Sequence, residues 1–159
     1  MAIVRTRRII DNDGAAAVLA AAEHKARETG ARVVLAVVDP WGELVELRRT
    51  PGAQVASSRV AVDKARTAAI FVRPSREMEE QVTNGRLGAL ALHGAANLTG
   101  GIPLKVGDEV VGAIGTSGET PDEDEAISLA GAAVAELSVT EVPALTYEGA
   151  FPTRRSSDL

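Results

Sequence analysis

Hydrophobic and polar positions first settle into a rhythm at "DNDGAAAVLAAAEHKARETG", residues 11–30. Asp11 to Asp13 offer side-chain oxygens to open amide groups, alanine and leucine favour a helix, and Gly30 suits a left-handed stop. A helix is expected between them. "ARVVLAVVD" follows as an unbroken apolar run rich in β-branched residues, the pattern of a buried strand. In "DPWG" proline stands second and glycine fourth, which fits a type I turn. "ELVELRR" then alternates, so Val33–Asp39 and Glu43–Arg48 are expected to pair as an antiparallel hairpin.

From Ala53 to about Val72 the spacing is helical, with Val55, Val62, Ala65, Ala69 and Val72 along one side. Pro74 ends that run by pushing its predecessor out of helical space. "SREMEEQVTNG" reads as one more short helix, capped by Ser75, with Met78 and Val82 inward and Asn84-Gly85 as the stop. "RLGALALHGAANLTGG" reads as a short strand plus loop. "IPLKV" and "EVVGAIGTS" flank Gly107-Asp108, a two-residue link of the kind that makes tight hairpins. Thr120, Pro121 and Glu123 combine an N-cap, a proline at the first helical position and a glutamate at the third. The helix they open is expected to run to Leu137. The order α-β-β-α-(α)-β-β-β-α predicts an α+β fold, an antiparallel sheet of about five strands with flanking helices.

Composition narrows this picture. A chain of 159 residues is expected to form one domain, over residues 1–150. Hydrophobic residues are 45% of the chain but aromatics only 3%, so the core is aliphatic and thin, and self-association would add burial. The net charge of −5, with scattered Lys and Arg, argues against nucleic acid as a partner. The absence of cysteine removes disulfides, thiolate metal sites and cysteine nucleophiles. "MAIVRTRRIID" has no apolar run of signal-peptide length and nothing approaches a membrane span, so a cytoplasmic protein is expected. "FPTRRSSDL", residues 151–159, matches at all nine positions the translation of a common sequencing adapter. It is read as a non-native tail and set aside.

Candidate chemistry is sparse. A P-loop needs Lys then Ser or Thr after its last glycine, and Gly118 is followed by Glu119-Thr120. Gly112-x-x-Gly115-x-x-Gly118 also lacks the strand-to-helix placement of a dinucleotide fingerprint. Gly112 and Gly115 therefore read as points of close backbone approach, although the helix start after Thr120 could receive a carboxylate. Asp122, Glu123, Asp124 and Glu125 read as a capping box with charges suited to the helix dipole, ahead of a cation site. His24 and His93 show no zinc-binding spacing; either imidazole could ligate haem iron. Lys64 stands on an otherwise apolar helix, either at the core's edge or aimed into a pocket. Asp39 and Arg48 frame the first hairpin, where an ion pair is the plain expectation.

Four segments together carry a resemblance. The VVD-x-x-G hairpin, the KA-x-TA helix, the GG-[IL]-P strand and the VGAIG-x-SG ending with its later Asp stand here in order, across about Asp11 to Leu137. The chain resembles the GlcG/HbpS family, also known as DUF336 or the haem-degrading family. The resemblance implies a profilin-like domain with a five-stranded antiparallel sheet, usually tetrameric or octameric, with haem or related tetrapyrroles as ligands in several members. It carries over Asp39, Gly42, Lys64, Gly100, Gly101, Pro103, Gly112, Gly115, Gly118 and Asp124. His24 falls on the first helix, where adenosyltransferase-linked relatives place a haem-ligating histidine; Thr99 is the counterpart considered for a threonine ligand. The first expectation is thus an oligomeric haem-binding module, with His24 or His93 on the iron and Lys64 or Arg48 near a propionate. The alternative is a cofactor-free enzyme or sensor for a small organic acid such as glycolate. There Lys64 and Arg48 would hold the acid, Asp39 would act as base, and the Gly115–Gly118 backbone would form the oxyanion site.

Overall fold

The computed structural model of the chain describes residues 3–134. The expected helix end at Leu137 and the adapter-like tail lie outside the described residues. Helix α1 (Asn12–Thr29) is capped by Asp11, whose carboxylate accepts the Gly14 amide at 2.8 Å. Gly30 closes it at φ 71°, its N–H returning to the Ala26 and Arg27 carbonyls. Strands β1 (Val34–Val38) and β2 (Leu44–Arg49) pair antiparallel across the expected turn, in which the Asp39 amide bonds the Glu43 carbonyl at 2.8 Å. Helix α2 (Ser57–Phe71) and helix α3 (Ser75–Thr83) lead to strands β3 (Gly101–Val106) and β4 (Glu109–Ser117), joined at Gly107-Asp108. Helix α4 (Pro121–Ala132) follows.

The strands form one antiparallel sheet in the order β2-β1-β4-β3. Every residue of β1 is buried because both faces are covered. Val33, Leu35 and Val37 join α1 and Ile127 of α4 in the main core, while Val34, Ala36 and Val38 meet the alanines of α2.

Three expectations need correction. Among the described residues the sheet has four strands, not five. The expected strand in residues 86–101 is a 3-10 helix at Leu87–Ala91 followed by loop. Its backbone closes locally, Ala89 N–H to Arg86 and Leu92 N–H to Ala89, so no ladder is left to build. Second, α2 begins at Ser57, and Val55 and Val72 are 78% and 54% exposed. Ala65 and Ala69 face inward as expected, joined by Ala61, Lys64 and Ala68, with Val62 only half-buried. Third, Ser75 does not cap α3: its hydroxyl donates to the Leu98 carbonyl and accepts the Gly101 amide, both at 2.7 Å. Met78 is buried as expected, and Val82 half-buried.

Candidate functional site

Small residues in the sheet decide how closely α2 can lie on it. The pairing puts Ala36, Gly115 and Gly101 side by side across β1, β4 and β3. A Cβ on Gly115 would overlap the Ala61 carbonyl and the Ala65 amide; one on Gly101 would overlap the Lys64 carbonyl. The helix backbone therefore rests on the sheet backbone. That depth carries the Lys64 side chain past Gly100, where a Cβ would stand 3.1 Å from Nζ.

Lys64 is 5% exposed, and its ammonium donates to the Thr116 carbonyl at 3.0 Å and to Asp124 Oδ2 at 2.7 Å. Asp124, 2% exposed, also accepts the Glu119 amide at 3.0 Å. Beside them Thr116 Oγ1 and Ser128 Oγ lie 2.7 Å apart, and Ser128 donates to the Gly100 carbonyl. Burial pushes the Asp124 carboxyl above its ordinary range, against the opposing pull of Lys64 and of the Glu119 and Gly118 amides. An ion pair this deep holds α2, β4 and α4 in one arrangement, because either charge alone would be stranded without water.

The four acids of α4 divide by direction. Glu123 completes the expected capping box: its carboxylate accepts the Thr120 amide and hydroxyl, and Thr120 Oγ1 accepts the Glu123 amide. Those bonds from Thr120 hold its carboxyl below the usual range. Asp124 turns inward. Asp122 and Glu125 turn to Arg76 of α3, whose guanidinium bonds both and is raised first by Glu125, then by Asp122. Asp124, Ile127, Ser128 and Gly131 share the buried face. This i, i+3, i+4, i+7 spacing was the available signal for Ser128, which the sequence analysis did not single out, and for Asp124, which it read with its neighbours as a helix-dipole charge.

The other site candidates are dispersed. Asp39 Oδ1 accepts the Trp41 and Glu43 amides at 2.8 and 3.0 Å and so builds the hairpin turn. Arg48 pairs with Glu46 at 3.0 Å and Glu23 at 3.3 Å, not with Asp39 as expected; it lies opposite Leu35, away from the turn. Gly115 sits inside the ladder between Ala36 and Gly101, and the Glu119 amide beyond Gly118 is taken by Asp124. Thr99 is 2% exposed and gives its amide and hydroxyl to Glu79. His24 lies on the open side of α1, its side chain 76% exposed and Nε2 3.4 Å from Glu28. His93 is exposed in the loop after the 3-10 helix. No group of three metal-ligating side chains occurs among the described residues.

Two surface clefts accompany these groups. One, of about 250 Å³, lies between the end of α1 and the start of α4, lined by Lys25, Thr29, Arg32, Glu119 and Glu123. The other, more open, is lined by Arg73, Glu77, Glu80, Gln81, Asn84 and Arg86. Both are polar. Neither is an enclosed apolar slot of the kind that buries a porphyrin, and neither is lined by His24 or His93.

Residues 10–133 match the family model described as "Haem degrading protein HbpS-like". The chain belongs to the HbpS-like family. It is 34% identical over 114 residues to Protein GlcG of Escherichia coli K12, covering 72% of this chain and 85% of GlcG. The Klebsiella pneumoniae protein ORFY, a DUF336 structure, superposes with a TM-score of 0.81 at 26% identity, covering 87% of this chain and 99% of ORFY. A PduOC structure solved as a haem complex gives a TM-score of 0.72 at 25% identity, covering 79% of this chain and 94% of that one. Across this HbpS-like chain, Lys64, Asp124 and the glycines around them form the fold's polar centre. The histidines stand outside it.

Proposed function

We propose that this protein is a haem-binding module of the HbpS-like family, cytoplasmic and working as an oligomer. The observation that carries the reading is the PduOC haem complex, which shares the fold over 79% of this chain. Two exposed imidazoles supply the donor chemistry. Lys25, which follows His24 in the chain, and Arg32 line a cleft and offer cations to propionates. Within a few residues of His93 along the chain, the exposed Leu87, Leu90 and Leu98 offer apolar surface to a porphyrin face. When bound, haem supplies an iron centre for ligand or redox chemistry; the chain's part is to ligate it and to cover its faces. Because neither imidazole lies in a slot, a second copy would close the far side of the ring. Self-association, into a tetramer or octamer, is therefore part of the same reading.

Haem titration followed at the Soret band tests it. A saturable shift is expected, lost in His24→Ala or in His93→Ala according to which imidazole is the ligand. No saturable shift, or one unchanged in both variants, removes the proposal. The small-acid alternative has lost support: Lys64 and Arg48 are engaged by internal carboxylates, and the amide beyond Gly118 is filled.

A further inference from the structure

The sheet has two edge strands, β3 and β2, and their outer sides differ. On β3 the Gly100 carbonyl accepts the Thr116 amide at 3.1 Å, so by alternation Ile102 and Leu104 turn their amides and carbonyls to β4 while Gly101 and Pro103 turn theirs away. Along that outer side the Gly101 amide is taken by Ser75 Oγ at 2.7 Å, and Pro103 has no N–H to offer. The β3 edge is blunted against a further strand.

No such block stands on β2. The Thr50 amide donates to the Val33 carbonyl at 2.9 Å, and the register steps from there to Leu35–Arg48 and Val37–Glu46, the pairs that bond each other. Leu47 and Arg49 therefore turn N–H and C=O outward, and among the described residues no bond reaches those groups. The bulge in this ladder lies towards the hairpin turn, between Val37 and Val38, and leaves residues 46–49 regular. Arg49 is exposed, and Glu46, Leu47 and Arg48 are half-buried. A regular edge with open backbone groups is a template for another strand.

The side chains of β2 indicate which strand. Two copies of β2 meeting antiparallel can centre on Leu47 or on Arg48 and use the same outward groups. Centred on Arg48, two guanidinium groups oppose each other, which is unfavourable. Centred on Leu47, each Leu47 meets its counterpart on the side where it packs near Ala61 and Val62 of α2. On the α1 side, where Arg48 reaches the Ala16 carbonyl, Glu46 of one copy then opposes Arg48 of the other. That is the closer, non-hydrogen-bonded kind of cross-strand pair, and its charges are opposite. We propose that two copies of this chain pair through β2, about a two-fold axis at Leu47, and so join their sheets edge to edge into one. The partner is a second copy because the strand is its own complement in charge. This pairing is the self-association of the proposed function made specific, and it rests on that part of the reading alone.

Sedimentation and cross-linking of the full chain without haem test this. Leu47→Pro removes an outward amide that has no bond within its own copy, as Pro103 does on β3, and the assembly mass is expected to fall by about half or more. Leu47→Lys, which puts a charge on the edge, is expected to do the same should the proline disturb the strand. The chain has no cysteine, so a Leu47→Cys variant carries one thiol per copy. Paired strands hold opposed Cα atoms about 5.5 Å apart, within disulfide reach, so mild oxidation is expected to give covalent dimers. Gly88→Cys, in open space, is the reference that stays unlinked. Both Leu47→Pro and Leu47→Lys keeping the parent mass overturns this interface and leaves the oligomer and the haem reading standing. Leu47→Cys linking no better than Gly88→Cys does the same. A parent that is monomeric at all concentrations overturns the pairing and the oligomer together, while the haem titration reports separately on the ligand.

Discussion

At the scale of single residues, Lys64 and Asp124 are worth more as a pair than either is alone. Replacing Lys64 with Met, or Asp124 with Asn, leaves one buried group unmatched and is expected to cost about 3–5 kcal/mol. Replacing both with apolar residues should recover much of that loss, as a urea-denaturation double-mutant cycle would show. Additive single losses would mean the two charges do not act together. Val72, at φ 57°, offers the opposite kind of change. Glycine accepts its left-handed backbone, so Val72→Gly is expected to raise stability by about 0.5–1 kcal/mol despite glycine's greater unfolded entropy. A lower melting temperature would show that Val72 is not strained.

At the scale of elements, the docking of α2 and the opening of α4 are the sensitive points. Gly115→Ala sets a Cβ against α2 backbone, which cannot swing aside as a side chain can. The expected loss is about 3 kcal/mol or more, whereas Gly88→Ala, with open space around it, is the neutral control. At α4, Thr120→Ala removes the cap and is expected to cost about 1 kcal/mol. The capping box also sets a pH dependence. Glu123 is held below its ordinary 4.5 in the fold, so its contribution is complete above that value and fades as pH falls through the lowered one. Asp124 works in the other direction: burial raises it above 3.8, so stability is lost as pH rises through its raised value. Glu123→Gln should therefore fall below the parent in melting temperature at pH 7 and converge with it in acid. A gap that stays constant with pH would rule out the carboxylate as the cause.

At the scale of the whole molecule, the thin aliphatic core and the exposed Trp41, Leu44, Leu87 and Leu90 leave apolar surface to cover. Light scattering is expected to return a multiple of the 16.5 kDa chain mass; a monomer at all concentrations would remove the oligomer from the proposed function. Most of the fold was legible along the chain, because Asp11, Gly30, the DPWG turn, Gly107-Asp108 and the Thr120–Glu123 box act within a few residues of themselves. The family, too, was legible from four local motifs. What the sequence left open were the interactions between distant elements. It flagged Lys64 without its partner, read Asp124 as a charge for the helix dipole, and made Ser75 a cap when it serves β3. It also expected a strand where short-range bonds wind a 3-10 helix. Local propensity and pattern determined where chain segments turn, start and stop. Only tertiary structure decided which polar side chains go inward, because that depends on the row of Ala36, Gly115 and Gly101, three positions far apart in sequence that let α2 lie against the sheet and carry Lys64 to Asp124.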